Sequence, residues 1–444
     1  MAISRTLFLI VLLSCSTALA AEPSWTVFHG PNRDNVSPET GLLKSWEDGG
    51  PPLLWKVNTI GNTEFPGYAG VTVAEGRVFT AGNVKTGDSD QEAMSTVFAL
   101  DEKTGKELWR YANGPAWVEK GFFPGERGTP TIDGNRVYAY SSVGRIACLE
   151  AGTGKEIWAK DLRAEYDVKN LPVWAYAESP FIDDNKVVLW PSGEKAAVVA
   201  LDKLTGKQIW TTPSTGQRGN YASMTAFDYA DNRYYVSMNQ SGVLAVGAKT
   251  GNQIFAVPHK TEWDVMATTP YVFDDKLFIT SGYGTGAKLF RIGAQVGLSA
   301  PGAETPLAVD EVWAEPKFDN MHGGVVFKDG YAYTATHHYR KGRNWMCIKL
   351  DDGSTMWENP GVGMGAVTCA DGMLYCTSEK EPFEVALVKA IPGKYEETGR
   401  FELPAAEEGG GVGLFWAHPV VCNKKLYLRH GTILYCYDIA ENKK

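Results

Sequence analysis

Few residues in this chain have the type and the placement for chemistry. Tyr68, Arg127, Glu178, Tyr221, Met266, His322, Met364 and His418 each stand just ahead of a short apolar run with strand character. Guanidinium, carboxyl, phenol and imidazole groups gathered around one axis would hold an anionic or polar ligand; the bland alternative is that they satisfy one another and water. Of these, Tyr68, Arg127, Glu178, Tyr221, His322 and His418, with the neighbouring Trp416, form the expected ligand-binding set. The tandem His337-His338 has metal-ligating side chains, but neighbours on a strand point to opposite faces, which favours a solvated loop. Asp88-Ser89-Asp90 falls short of the Asp-x-Asp-x-Asp-Gly pattern of a calcium loop and reads as a solvated pair of acids. No catalytic residue is assigned and no metal site is expected.

Of seven cysteines, six lie beyond the leader described below, at 148, 347, 369, 376, 422 and 436. An even number in an oxidising compartment is compatible with disulfides. Cys148 and Cys436, however, occupy the small-residue slot that Ala99 and Ala200 fill in sister segments, so packing accounts for them. Cys369 and Cys376 flank the Asp371-Gly372 turn off register, Cys369 facing Leu374 and Val367 facing Cys376; a disulfide there is the alternative to packing. No Cys-x₂-Cys unit supports a zinc site.

The elements that must position these residues come from an internal repeat. Residues 98–109, Phe-Ala-Leu-Asp-Glu-Lys-Thr-Gly-Lys-Glu-Leu-Trp, recur at 147–158 and 199–210, and degenerate copies end at Phe255, Trp313, Trp357 and Phe401. With Trp55 the aromatic anchors stand 54, 49, 52, 45, 58, 44 and 44 residues apart, a period that belongs to propeller blades or solenoids. Trp55, Trp109, Trp158, Trp210, Trp313 and Trp357 are read as packing anchors between repeats. Each period resolves into four short strands; in the third these are 179–182, 186–190, 198–201 and 208–211, joined by Asp-Asn and Thr-Gly turns. The fold class is therefore all-β, an eight-bladed β-propeller of four-stranded antiparallel blades. A lone strand around Trp55 joins three strands after Pro419, a Velcro closure that removes the exposed sheet edges of an open solenoid.

Strand parity sorts the loops onto two faces. One face receives only short Asp-Gly and Thr-Gly hairpins. The other receives the irregular segments 114–127, 164–178, 217–223, 258–268, 318–322, 337–344 and 407–418, with Trp117, Phe122, Phe123, Trp174, Trp263, Phe415 and Trp416. Variable aromatic loops on a rigid scaffold are where binding resides, so a protein or small-molecule partner is expected on that face. Some of these rings will instead pack as a lid on their own blades. The segment 404–408 with Gly409 to Gly411 reads as a flexible lip.

The first twenty residues read as a targeting segment: Arg5, the apolar stretch 6–13, and Ala18-Leu19-Ala20 as a cleavage site. This predicts export to the periplasm or cell envelope, with mature residues 21–50 an N-terminal extension and 51–444 one propeller domain. Leu12-Leu13-Ser14-Cys15 resembles a lipobox, and a lipoprotein anchored through Cys15 is the alternative. No later stretch reaches eighteen apolar residues, so no transmembrane segment is expected. The 48 glycines, 14 Trp, 20 Tyr and 18 Phe suit many short strands, and 43 basic against 52 acidic residues, with no basic run, argue against a nucleic-acid partner.

The Ala-Leu-Asp-x-x-Thr-Gly-Lys-x-x-Trp repeat resembles the tryptophan-docking repeat of the pyrroloquinoline-quinone (PQQ) propeller superfamily. That superfamily holds quinoprotein alcohol dehydrogenases and the non-enzymatic assembly lipoprotein BamB. The opening Trp25-x-x-Phe28-x-Gly-Pro31-x-Arg33-x-x-x-Ser37, with Gly50-Pro51-Pro52-x-Leu54-Trp55, is similar to the start of PQQ-like repeat proteins common in planctomycete-type bacteria. The resemblance implies one of two functions: a non-catalytic, BamB-like scaffold without a cofactor, or a dehydrogenase using PQQ and Ca²⁺ at a divergent site. The dehydrogenase branch has a vicinal Cys-Cys pair and a Glu/Asn/Asp calcium cluster; this chain has no adjacent cysteines, which favours the scaffold.

Overall fold

Asp and Asn tolerate left-handed backbone, and at the hairpin tips they adopt it: φ is +50° at Asp184, +49° at Asp274, +51° at Asp329, +47° at Asp371 and +54° at Asn423. Each such tip folds a three- or four-residue strand back onto a longer one. The computed structural model of the protein describes residues 24–119, 123–219, 221–295, 304–337, 343–404 and 413–441. The proposed leader with Cys15, and also Phe122, His338 and 405–412, lie outside the described residues.

The described strands form eight sheets arranged as a β-propeller, each blade built of four antiparallel strands. The first strands of blades one to eight are Thr72–Ala74, Thr131–Asp133, Phe181–Asp183, Thr225–Tyr229, Tyr271–Phe273, Val326–Lys328, Val367–Ala370 and Val420–Cys422. First strands of neighbouring blades approach one another, as strands crowded around an axis must. In the second blade, Arg145–Glu150 is buried along both faces whereas every residue of the outer strand Glu156–Asp161 is exposed or half-buried. A middle strand between two neighbouring blades has no solvent face, so its apolar residues run continuously instead of alternating. The hydrophobic core lies between blades: Tyr138, Ile146 and Cys148 of the second pack against Val187, Leu189 and Leu201 of the third.

The outer strands carry the indoles that lock blade to blade. Nε1 of Trp55, Trp109, Trp158, Trp210, Trp313 and Trp357 donates to the carbonyls of Glu102, Ala151, Lys203, Ala248, Leu350 and Ile391, at 2.9–3.1 Å. Trp109 lies flat on Gly154 of the next blade, φ +71°, where a Cβ would come within 2.5 Å of the ring. The turn glycine is thus required twice, for its backbone and for its missing side chain.

Leu53–Asn58 pairs with Ile433–Asp438, Trp55 opposite Cys436, and so completes the eighth blade. Two connections depart from the expected uniformity of the hairpin face: in the seventh blade Glu384–Lys389 and Glu397–Glu402 are joined by 390–396, and the fifth blade departs further. In the fifth blade Gly286–Ala294 and Leu307–Glu315 are joined not by Thr-Gly but by 295–306, because that repeat has lost its turn dipeptide; Glu304 reaches back to the Lys249 amide at 2.8 Å. Among the described residues no helix is long and apolar enough to cross a membrane.

Residues 25–37 run inside the ring. Trp25 bridges Val73 of the first blade, and the Thr26 carbonyl accepts from the Ile132 amide of the second at 2.8 Å. The chain turns at His29, Gly30 and Arg33, all with positive φ. The Asp34 carbonyl then accepts from Phe327 of the sixth blade, and Val36–Ser37 adds a fifth strand, parallel to Val367–Ala370 of the seventh. Glu39 accepts from the amides of Asn423 and Lys424 at the eighth.

Candidate functional site: an aromatic cavity on the irregular-loop face

Ahead of each first strand the chain crosses from the outer edge of one blade to the axis, so the residue preceding that strand is delivered to the channel mouth. A cavity of about 270 Å³ opens there. Tyr68, Arg127, Tyr221, His322, Trp416 and His418 line it, joined by Phe28, Phe123, Trp174, Tyr283 and Met321. Glu178 does not line it; it is 1% exposed in the wall beneath. Met266 and Met364 are also buried away from it.

Arg127 dominates the electrostatics. Its guanidinium carbon sits 5.0 Å from the Tyr68 ring, 5.6 Å from Trp117 and 5.7 Å from Trp416, and it donates to the Phe123 carbonyl. Such contacts favour the cation without neutralising it. Burial still pulls its pKa down, to about 10, so it remains charged at neutral pH. Burial pushes the phenols of Tyr68 and Tyr221 up to about 12, so both stay protonated.

The imidazoles are neutral. Burial lowers His418 to about 4 and holds His322 well below its ordinary range, the latter helped by His337 and His418. His418 Nε2–H donates to the His322 carbonyl at 2.7 Å, which assigns the proton and leaves Nδ1 as an acceptor. That Nδ1 and His322 Nε2 are buried without a hydrogen-bond partner. Trp416 Nε1 donates to Glu379 at 3.1 Å, fixing its ring 4.8 Å from His322.

Carboxyls in the surrounding wall are held towards their protonated forms. Glu178 Oε2 accepts from the Trp190 amide at 3.0 Å, Oε1 has no partner, and burial raises its pKa to about 8. Glu126, likewise buried, is raised to about 7. The six described cysteines are buried and form no disulfide; burial pushes Cys148 up to about 11, Cys347, Cys369 and Cys436 to about 12, and Cys376 and Cys422 upward as well, so none is a thiolate at neutral pH. His337 is buried and packs 4.6 Å from Tyr283.

The loop-face aromatics divide. Trp117 and Phe415 are packed inside, while Phe123, which lines the cavity, and Trp263 stand 43% and 58% exposed. Reading the residue ahead of each first strand passes over Tyr283 and Glu379, which enter from connections between second and third strands, and over Phe28, which enters from the N-terminal segment. A cavity wall of rings, one guanidinium among them and neutral imidazole acceptors suits a compact ligand with a flat face, an acidic or electron-rich group and a hydroxyl or N–H donor.

Eight four-stranded blades with indole docking define a PQQ-like repeat propeller. The chain belongs to the family whose model is described as outer membrane protein assembly factor BamB, which it matches over residues 93–359. It is 27% identical over 249 residues to a polyvinylalcohol dehydrogenase from a Pseudomonas species, covering 53% of this chain but only 35% of that protein's length. The fold is similar to the quinohemoprotein alcohol dehydrogenase of Comamonas testosteroni, at TM-score 0.61 and 14% identity over 96% of this chain and 82% of that one. It is similar too to BamB of Moraxella catarrhalis, at TM-score 0.55 and 13% identity over 87% of this chain and 99% of that one. Likeness at these structural identities speaks for the fold alone.

Proposed function

We propose that this chain is an exported, non-catalytic binding scaffold whose irregular-loop face captures a small ligand in the aromatic cavity. The observation that carries this reading is the Arg127 guanidinium held among Tyr68, Trp117 and Trp416 at the wall of a cavity lined mainly by rings, neutral imidazoles among them, with Met321 and small apolar residues. The exposed Phe123 at the cavity and Trp263 on another irregular loop extend the same face towards a protein partner. A thermal-shift screen of small aromatic acids tests the assignment. Stabilising hits should lose their shift in Arg127→Met and Trp416→Ala and keep it in Lys106→Ala, on the opposite face; hits that survive in Arg127→Met and Trp416→Ala refute it.

The similarity to dehydrogenases supports a second reading, a redox enzyme using PQQ and Ca²⁺. The donor set does not fit the metal. Ca²⁺ takes six to eight oxygen ligands, carboxylates foremost. No carboxylate is among the described residues lining the cavity; Glu379 behind Trp416, and Glu178 and Glu126 nearby, are buried and held towards the protonated form. No described group of three His, Cys, Asp or Glu side chains converges on a common point. With PQQ, Ca²⁺, a simple alcohol and an artificial electron acceptor, the scaffold reading expects no dye reduction that depends on both additions; sustained reduction would transfer the assignment to the dehydrogenase.

A further inference from the structure

The opening motif from Trp25 to Ser37 has no counterpart in the repeat, and the binding site as described uses only one of its side chains. A propeller channel is walled by first strands whose inner edges present unpaired amides and carbonyls, which need water or another chain. Here the amides of Val73, Ile132, Phe327 and Cys369, from blades one, two, six and seven, donate to the carbonyls of Trp25, Thr26, Asp34 and Asn35 at 2.8–3.2 Å. The side chains reach the blades between. The Arg33 guanidinium lies 4.6 Å over the Phe181 ring of the third blade and donates to the Met224 carbonyl at the fourth, at 3.3 Å. Asn35 donates to the Val325 carbonyl at 2.9 Å.

The top of this segment meets the cavity. Phe28 lines it, and its ring lies 5.1 Å from that of His418, against which His29 stacks at 5.0 Å and 21°. Gly30 carries the turn at φ +79°, with the Trp25 ring 2.7 Å from where a Cβ would stand. We infer that residues 25–37 are a built-in plug: they close the channel, leave the cavity a single mouth on the irregular-loop face, and make Phe28 its floor, the residue that sets ligand depth. The Gly-Pro-Asn-Arg-Asp run is then the plug's turn and anchor. That the segment is a plug is independent of ligand; that Phe28 is a specificity residue rests on the proposed binding role of the cavity.

The experiment separates the two parts. In the full-length protein, hydrogen exchange by mass spectrometry is followed in the first-strand peptides covering Ile132, Phe327 and Cys369, and the cavity is titrated with the fluorescent aromatic anion anilinonaphthalene sulfonate. Gly30→Val, a branched residue at positive φ against the Trp25 ring, should accelerate exchange in those peptides about tenfold while leaving the third strands of the same blades unchanged. Phe28→Ala keeps the backbone seated, so exchange should stay at the wild-type rate while probe affinity falls about fivefold. Wild-type exchange in Gly30→Val overturns the plug. Unchanged probe affinity in Phe28→Ala, or a wild-type protein that does not bind the probe, overturns the floor while leaving the plug to be judged by exchange.

Discussion

Glu178 lies in the cavity wall with burial raising its pKa to about 8, against an ordinary carboxyl value near 4.3 in the unfolded chain. Its folded-state pKa is therefore raised, so its contribution is fully present below the unfolded value and is lost as pH rises through the folded one. Glu126, raised to about 7, acts in the same direction. His418, depressed to about 4, acts oppositely but only between about pH 4 and 6.5. Above pH 6.5 the carboxyls dominate, and Glu178 alone should remove up to about 2 kcal/mol between pH 6.5 and 8, at about 1.4 kcal/mol per pH unit. In Glu178→Gln the amide oxygen can still accept from the Trp190 amide, and nothing titrates. Urea denaturation at pH 6.5, 7.25 and 8 reads the difference: the wild type should weaken steadily and the variant by markedly less. Parallel pH profiles would refute the buried, protonated carboxyl.

Trp109→Ala should destabilise the ring by about 3–5 kcal/mol, because it empties the seat on Gly154 and leaves the Ala151 carbonyl without its donor; a loss below about 1 kcal/mol in thermal melting would count against docking. Truncation near residue 415 removes three strands of the eighth blade, exposes edges on the blade at each side, and should cause aggregation on a sizing column; a monomeric product with unchanged melting would refute the closure.

The repeat was legible because each of its residues serves a local need. Thr-Gly turns the hairpin, Trp docks on the next glycine, and a small residue, Ala99 or Ala200, pairs opposite the Trp; three good copies suffice to extend the pattern to Phe255 and Phe401. The completion of the last blade by Trp55 followed from phase alone, and Cys369 does pair with Leu374, and Val367 with Cys376. Segments that occur once carry no such signal. The missing Thr-Gly ahead of Trp313 marks a lost tight turn but not what replaces it, and nothing in 25–37 shows that it runs inside the ring, because its partners are backbone groups of strands far away in sequence. For the site, counting back from each first strand finds Tyr68, Arg127, Tyr221, His322 and His418 at the cavity but does not tell that Glu178 turns into the wall, since one residue's rotation at a crossing is decided by tertiary packing.

A cavity on the irregular-loop face that binds a small ligand must lose affinity when its wall is cut and not when the far face is. Fluorescence titration of wild type, Trp416→Ala and Lys106→Ala with anilinonaphthalene sulfonate tests it most directly. Saturable one-to-one binding is expected in the wild type and in Lys106→Ala, weakened about tenfold or more in Trp416→Ala. Equal affinity in all three, or loss in Lys106→Ala alone, would contradict it.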